Sequence, residues 1–145
     1  ENNTASLNFI SNSTLFRHPM TDTFLLNDFY TVKNREVSAD NKFQASVLLN
    51  AAHPVFKGHF EQMPVVPGVF QTQLIKELLQ EQLQKNLVLS KGDNIKFMGM
   101  IIPGEHPEIN IEISYREDEN KYLAEARIFF ENTTFTKFKG TFTLH

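Results

Sequence analysis

The second half of the chain alternates. In "EINIEISYR" the residues Ile109, Ile111, Ile113 and Tyr115 fall on one side. "KYLAEARIFFEN" repeats the pattern through Tyr122, Ala124, Ala126, Ile128 and Phe130. "TKFKGTFTL" closes it with Phe138, Phe142 and Leu144. A period of two is that of a strand with one face buried and one face wet. The short polar connection "EDEN" reads as a turn, so neighbouring strands run antiparallel. A sheet with one oily face needs something to cover it.

The cover is a single helix. After Gly68, the residues Val69, Leu74, Ile75, Leu78, Leu79 and Leu83 recur three to five apart, with Gln, Lys and Glu between them. That spacing predicts a helix of roughly 16–18 residues with one apolar stripe. Ahead of it, Phe24 to Lys33 reads as a strand, and "SADN" (Ser38–Asn41) as a turn. "KFQASVLLN" follows as a strand with Phe43, Ala45, Val47 and Leu49 on one face. Behind the helix, "NIKFMGMIIPG" reads as a strand ending at Pro103–Gly104. The expected class is α+β: one antiparallel curved sheet wrapped around one long central helix. Residues 1–145 form one domain, and the first 20 or so carry no assignable pattern. A lone helix covers few strands and leaves the sheet edges unpaired, so an edge-to-edge homodimer is expected.

Composition narrows the function classes. The 145 residues carry a formal net charge of −3, a pI near 6.0 and no block of lysine and arginine. Nucleic acid and anionic membrane are therefore not expected partners. There is no cysteine, which excludes disulfides, thiolate catalysis and cysteine metal sites, and fits a reducing, cytoplasmic setting. No apolar run approaches the ~20 residues of a membrane helix. "ENNTASLNFISNSTLF" lacks the pattern of a secretory leader, so "NNT", "NST" and "NTT" read as chance sequons. His18, His106 and His145 show no metal spacing, and no metal or cofactor is expected. Fourteen phenylalanines and no tryptophan suggest a core or ligand tunnel rich in flat apolar surface.

The chemistry gathers in "HPVFKGHFEQMPVVPGVFQTQLIKELL", His53 to Leu79. Pro64 and Pro67 fix φ and push the residues before them into extended conformations. The approach to the helix should be stiff as far as Gly68, where a missing Cβ admits close contact with the backbone. The first turn of a helix presents unpaired N–H groups and a positive dipole end. A carbonyl oxygen gaining negative charge is stabilised there. Nine residues earlier stands His59, a side chain able to take a proton near neutral pH. Together they would abstract a proton alpha to a carbonyl.

The joint pattern "GHF…PVVPGV" resembles the active-site segment of the 3-hydroxyacyl-acyl-carrier-protein dehydratases, which have the hot-dog fold. "FLLNDFYTV" is similar to that family's first strand, and "IKFMGMIIPGEHPEINIEI" to a later hairpin, so about 120 residues take part. The resemblance implies dehydration of a 3-hydroxyacyl thioester to the trans-2-enoyl thioester. The carrier would be acyl carrier protein or coenzyme A, the pathway fatty acid or polyene-type biosynthesis. The assembly would be a homodimer or an oligomer of dimers.

By position, His59 would be the base and the Gly68 N–H would hold the thioester carbonyl. Phe56, Phe60, Val66, Pro67 and Val69 would line the acyl site, with Phe70 nearby. The family's acid, fourteen residues after the histidine, is here Gln73. An amide cannot donate a proton as a carboxylic acid does, though it can hold a hydroxyl. Glu77 and Glu61 are the carboxylates that could substitute, against plain solvated positions for both. Lys57 is placed to meet an acidic carrier or a pantetheine phosphate, against a solvated surface position. His53 reads as a turn residue. Two other readings stand: a non-catalytic acyl-thioester binder or the partner subunit of a heterodimeric dehydratase, and a thioesterase.

Overall fold

The computed structural model describes residues 21–57 and 64–145. The order is β1 (Tyr30–Ala39), β2 (Lys42–Leu49), a 3-10 turn (Pro54–Phe56), α1 (Gly68–Leu83), β3 (Leu87–Phe97), β4 (Glu108–Asp118), β5 (Lys121–Phe130) and β6 (Thr133–Leu144). The strands form one six-stranded sheet in the order β1-β2-β4-β5-β6-β3. Every pairing is antiparallel. The chain leaves the sheet after β2, and α1 returns it to the opposite edge as β3. The helix therefore lies across the sheet face rather than beside it.

The alternating positions all point at that helix. Phe43, Ala45 and Val47 of β2, Ile109, Ile111 and Ile113 of β4, and Tyr122, Ala124 and Ile128 of β5 are buried. They meet Leu74, Ile75, Leu78 and Leu79 of α1. Left-handed residues turn the hairpins: Asn41 between β1 and β2, Glu119 between β4 and β5, Glu131 between β5 and β6. Arg35 of β1 reaches the last turns of α1, donating to the Leu78 carbonyl at 3.4 Å and to Gln82 Oε1 at 3.2 Å. A cation there complements the negative end of the helix. Among the described residues, no helix is long and apolar enough to cross a membrane.

Three expectations need correction. The strand read over Phe24–Lys33 begins only at Tyr30. Residues 24–26 spend their N–H groups on a side chain of α1 instead of on a neighbouring strand. The strand read over "NIKFMGMIIPG" begins at Leu87 and stops at Phe97. Beyond it the N–H groups of Met98 and Gly99 both turn to the Phe135 carbonyl, which ends the regular ladder. Val69, placed on the apolar stripe by its spacing, is 72% exposed. It sits in the first helical turn, before the stripe reaches the sheet at Leu74.

Gly140 of β6 lies where β3 crosses closely, opposite Gly92. A Cβ at Gly140 would stand 2.9 Å from the Lys91 carbonyl oxygen and 2.7 Å from the Phe138 ring. A backbone atom on one side leaves little room to yield. Gly140→Ala should cost about 1–3 kcal/mol in urea unfolding. Gly104→Ala, with nothing within 4 Å, should stay within about 0.5 kcal/mol of the parent.

Candidate functional site

The stiff approach to α1 is clamped as well as proline-bound. Val66 donates its N–H to the Ile101 carbonyl at 2.8 Å, and its own carbonyl accepts from Gln71 Nε2 at 3.2 Å. Gln71 Oε1 accepts in turn from the Thr136 hydroxyl of β6. Gln71 and Thr136 are both buried, so each polar group has to find a partner and the chain of bonds is held. Strand, helix and approach are thereby tied at one point.

Pro67 caps α1 in an extended conformation, and its carbonyl accepts from the N–H groups of Phe70 and Gln71. Among the described residues, the N–H groups of Gly68 and Val69 meet no acceptor. These are the first-turn donors at the positive helix end. No acidic side chain occupies that turn. The close approach that Gly68 permits is made by Phe97, the last residue of β3. A Cβ at Gly68 would stand 2.7 Å from its ring, and Phe97 is 55% exposed. Phe97 has no special mark in the sequence; only the β3–α1 juxtaposition brings it here.

The remaining expected residues divide. His59 and Phe60, with Glu61, lie outside the described residues. Val66 is buried in the core, and Val69 faces outward from the donor turn. Phe56 is buried with its ring centroid 6.0 Å from that of Phe29, which also meets Phe70 at 4.8 Å. Phe56 and Phe70 thus belong to one aromatic cluster beside the approach. His53 caps the 3-10 turn: Nδ1 accepts from Val55 N–H at 3.0 Å, so Nε2 carries the proton toward Asp28, 2.9 Å away. Lys57 is exposed.

Gln73 and Glu77 are one unit. Glu77 is neither solvated nor free to act as an acid: it is 0% exposed. Its Oε2 accepts from Phe24 N–H at 2.7 Å, Leu25 N–H at 2.9 Å and Gln73 Nε2 at 2.8 Å. Its Oε1 accepts from Leu26 N–H and the Tyr30 hydroxyl, both at 3.0 Å. Five donors saturate a carboxylate. The same helix face holds the rest of the preceding segment, with Gln80 Nε2 donating to the Asp22 carbonyl at 2.6 Å and the Thr21 hydroxyl to Glu81. The Gln73 amide must turn an N–H toward the carboxylate. Its oxygen and second N–H project away, without a partner among the described residues. Nothing in the sequence marked Tyr30 or the backbone of residues 24–26 as partners of Glu77, because the bonds span about fifty residues.

The sequence matches the profile of the ApeI-like family, described as ApeI dehydratase, over residues 34–137. The chain belongs to the ApeI-like dehydratase family. That span includes Gly68, Gln73 and Glu77. Two curated relatives are named 3-hydroxyacyl-[acyl-carrier-protein] dehydratase FabZ. The one from Streptococcus gordonii is 33% identical over 106 residues, 68% of this chain and 69% of the relative. The one from Streptococcus equi subsp. zooepidemicus is 35% identical over 75 residues; the alignment covers 47% of this chain and only about half, 54%, of that protein. Among solved structures, the dehydratase heterocomplex ApeI:P from Xenorhabdus doucetiae superposes with a TM-score of 0.63 at 20% identity. The match covers 78% of this chain and 96% of that one. The fold is the hot-dog fold, as the resemblance implied: a curved antiparallel sheet on one helix.

In this member of the ApeI-like family the Glu77 clasp sets a stability prediction. Glu77→Gln turns an amide N–H toward groups that are themselves donors. At about 1–3 kcal/mol per stranded buried donor, a loss of at least ~3 kcal/mol is expected by urea unfolding. Tyr30→Phe removes one bond and should cost about 1–2 kcal/mol. Burial, and then the adjacent Glu77 charge, push the Tyr30 phenol well above its ordinary value. The folded chain keeps a proton that the unfolded chain releases from about pH 10 upward. The Tyr30 contribution is thus complete below that pH and declines above it. Tyr30→Phe should flatten the alkaline fall in stability; an unchanged slope would show that Tyr30 does not cause it.

Proposed function

We propose that this chain dehydrates 3-hydroxyacyl thioesters to trans-2-enoyl thioesters, with acyl carrier protein or coenzyme A as the carrier, in a cytoplasmic biosynthetic pathway. The observation that carries this reading is the pair of N–H groups at Gly68 and Val69, which meet no acceptor among the described residues, at the start of a helix whose approach is clamped. Fixed donors at the point where a thioester oxygen gains charge lower the barrier without reorganising during the reaction. The match to the ApeI-like family and the FabZ names of its relatives support it.

In this reading His59 takes the C2 proton, and the enolate-like oxygen rests on the Gly68 N–H. The C3–O bond then breaks, and the hydroxyl leaves as water with the proton His59 collected. Gln73 presents the amide groups it does not spend on Glu77 to the departing hydroxyl and orients it. Val66, Pro67, Val69, Phe56 and Phe60 form the acyl side of the site. The working unit is a homodimer. Val69, Phe97, Met98 and Met100 are exposed apolar residues, three of them at the end of β3 or just beyond it, an edge strand with one neighbour.

The ApeI:P dehydratase of Xenorhabdus doucetiae is a heterocomplex. That favours one second reading, in which this chain is the partner subunit and a paralogue supplies the acid missing at Gln73.

Incubation with a 3-hydroxyacyl carrier protein should yield the enoyl product, and His59→Ala should reduce turnover by about 10²–10⁴-fold. Gln73→Glu should raise the rate roughly ten-fold, because a carboxylic acid can give the departing hydroxyl a proton that an amide cannot. Turnover that appears only when a paralogue is added would replace the first reading with the second. Release of free acid instead of enoyl product would make the chain a thioesterase.

A further inference from the structure

The outer face of the sheet, turned away from α1, carries an uneven charge pattern. The register sets Lys96 of β3 opposite Lys137 of β6, and Lys137 opposite Arg127 of β5. Three cations thus stand in one cross-strand row. Two residues along, Lys139 lies beside the same row. They line a groove of about 400 Å³, together with Lys42, Glu112 and Glu125. Five cations against two carboxylates leave an excess of three positive charges, on a chain whose formal net charge is −3.

Only part of that excess is offset within the sheet, where the register sets Glu125 opposite Lys139. Glu112 is shared between Arg127 at 3.5 Å and Lys42 at 3.8 Å. Among the described residues, no carboxylate comes within 4 Å of Lys96, Lys137 or Lys139. Like charges directly opposite one another destabilise a sheet. Lysine on an edge strand guards against unwanted pairing, which accounts for Lys96. It does not account for Lys137, which lies on an interior strand with a cation on either side, whereas Arg127 is bridged to Glu112 and Lys139 stands opposite Glu125. The row also sits at the end of the sheet that carries the helix start. Lys96 precedes Phe97, whose ring covers Gly68, and Lys137 follows Thr136, which bonds Gln71.

We propose that this row is a docking surface for an acidic protein face, that of the carrier which delivers the thioester to the Gly68 end. The inference rests on the dehydratase reading and adds to it where the carrier sits. Charge complementarity selects the occupant: a carrier rich in carboxylates supplies the counter-charges that the sheet lacks.

The test pairs two substrates with two variants. The substrates are a 3-hydroxyacyl group on acyl carrier protein and the same group on N-acetylcysteamine. The triple variant Lys96→Glu/Lys137→Glu/Lys139→Glu should lose about 10–100-fold in kcat/KM on the carrier-borne substrate and keep its rate on the small thioester. Binding of the carrier to the parent should weaken steeply as salt rises. Lys137→Glu alone should bind the carrier more weakly yet melt roughly 1–4 °C higher, since it relieves two like-charge pairs. Carrier binding and carrier-borne turnover unchanged in the triple variant would overturn the proposal. So would a parent that binds mixed phosphatidylglycerol–phosphatidylcholine vesicles and ignores the carrier. Should neither substrate turn over, the dehydratase reading fails by itself, and calorimetric binding of the carrier to parent and triple variant still decides the docking.

Discussion

A carboxylate with no exposed surface must have its lone pairs filled, and Glu77 organises its surroundings to do so. A lone buried charge is costly, and the cost is avoided only by close, well-aimed donors. The helix alone supplies one, Gln73. The others come from the backbone of residues 24–26 and the Tyr30 hydroxyl. Meeting that demand bends the segment before β1 back over the helix and delays the first strand to Tyr30. Gln80 and Glu81, on the next turn, extend the same clasp to Asp22 and Thr21. Charge burial, more than local propensity, sets where the sheet begins.

A second polar chain works at the other end of the helix. Thr136, Gln71 and Val66 link sheet, helix and approach through buried hydrogen bonds. The prolines at 64 and 67 restrict the conformations of the approach; these bonds choose one and hold it against Ile101. Donors at a helix start are useful to a reacting carbonyl only if they do not move. Two restraints of different kind, covalent rings and buried polar bonds, act on the same four residues.

What the sequence disclosed follows from the range of the forces involved. Strands β4, β5 and β6 and the sixteen-residue helix were legible because side-chain periodicity is local. The hot-dog arrangement was legible through the motif around Gly68. The start of β1 was not, because it depends on Glu77, some fifty residues away. The end of β3 was missed because the backbone of Met98 and Gly99 answers to Phe135. Phe97 escaped notice for the same reason: an exposed phenylalanine at a strand end gains meaning only when the fold sets it on Gly68. Glu77 reads as solvated because glutamate on a helix usually is, and periodicity carries no sign that a distant backbone will cover it.

The residues at 73 and 77 are best understood as one choice. With both oxygens of Glu77 taken up by donors, its neighbour one turn earlier has to donate as well. A carboxylate at 73 would bring acceptor oxygens where Glu77 requires a donor. Glutamine meets the requirement at any pH. It gives one N–H to Glu77 and keeps an oxygen and a second N–H for whatever enters the site. Gln73 therefore does not by itself signal lost catalysis. It is the side chain that a buried carboxylate at 77 demands, and it shifts the proton-transfer work in the proposed reaction onto His59. A reaction run that way needs the departing hydroxyl to be oriented more than protonated by the helix, which a fixed amide can do.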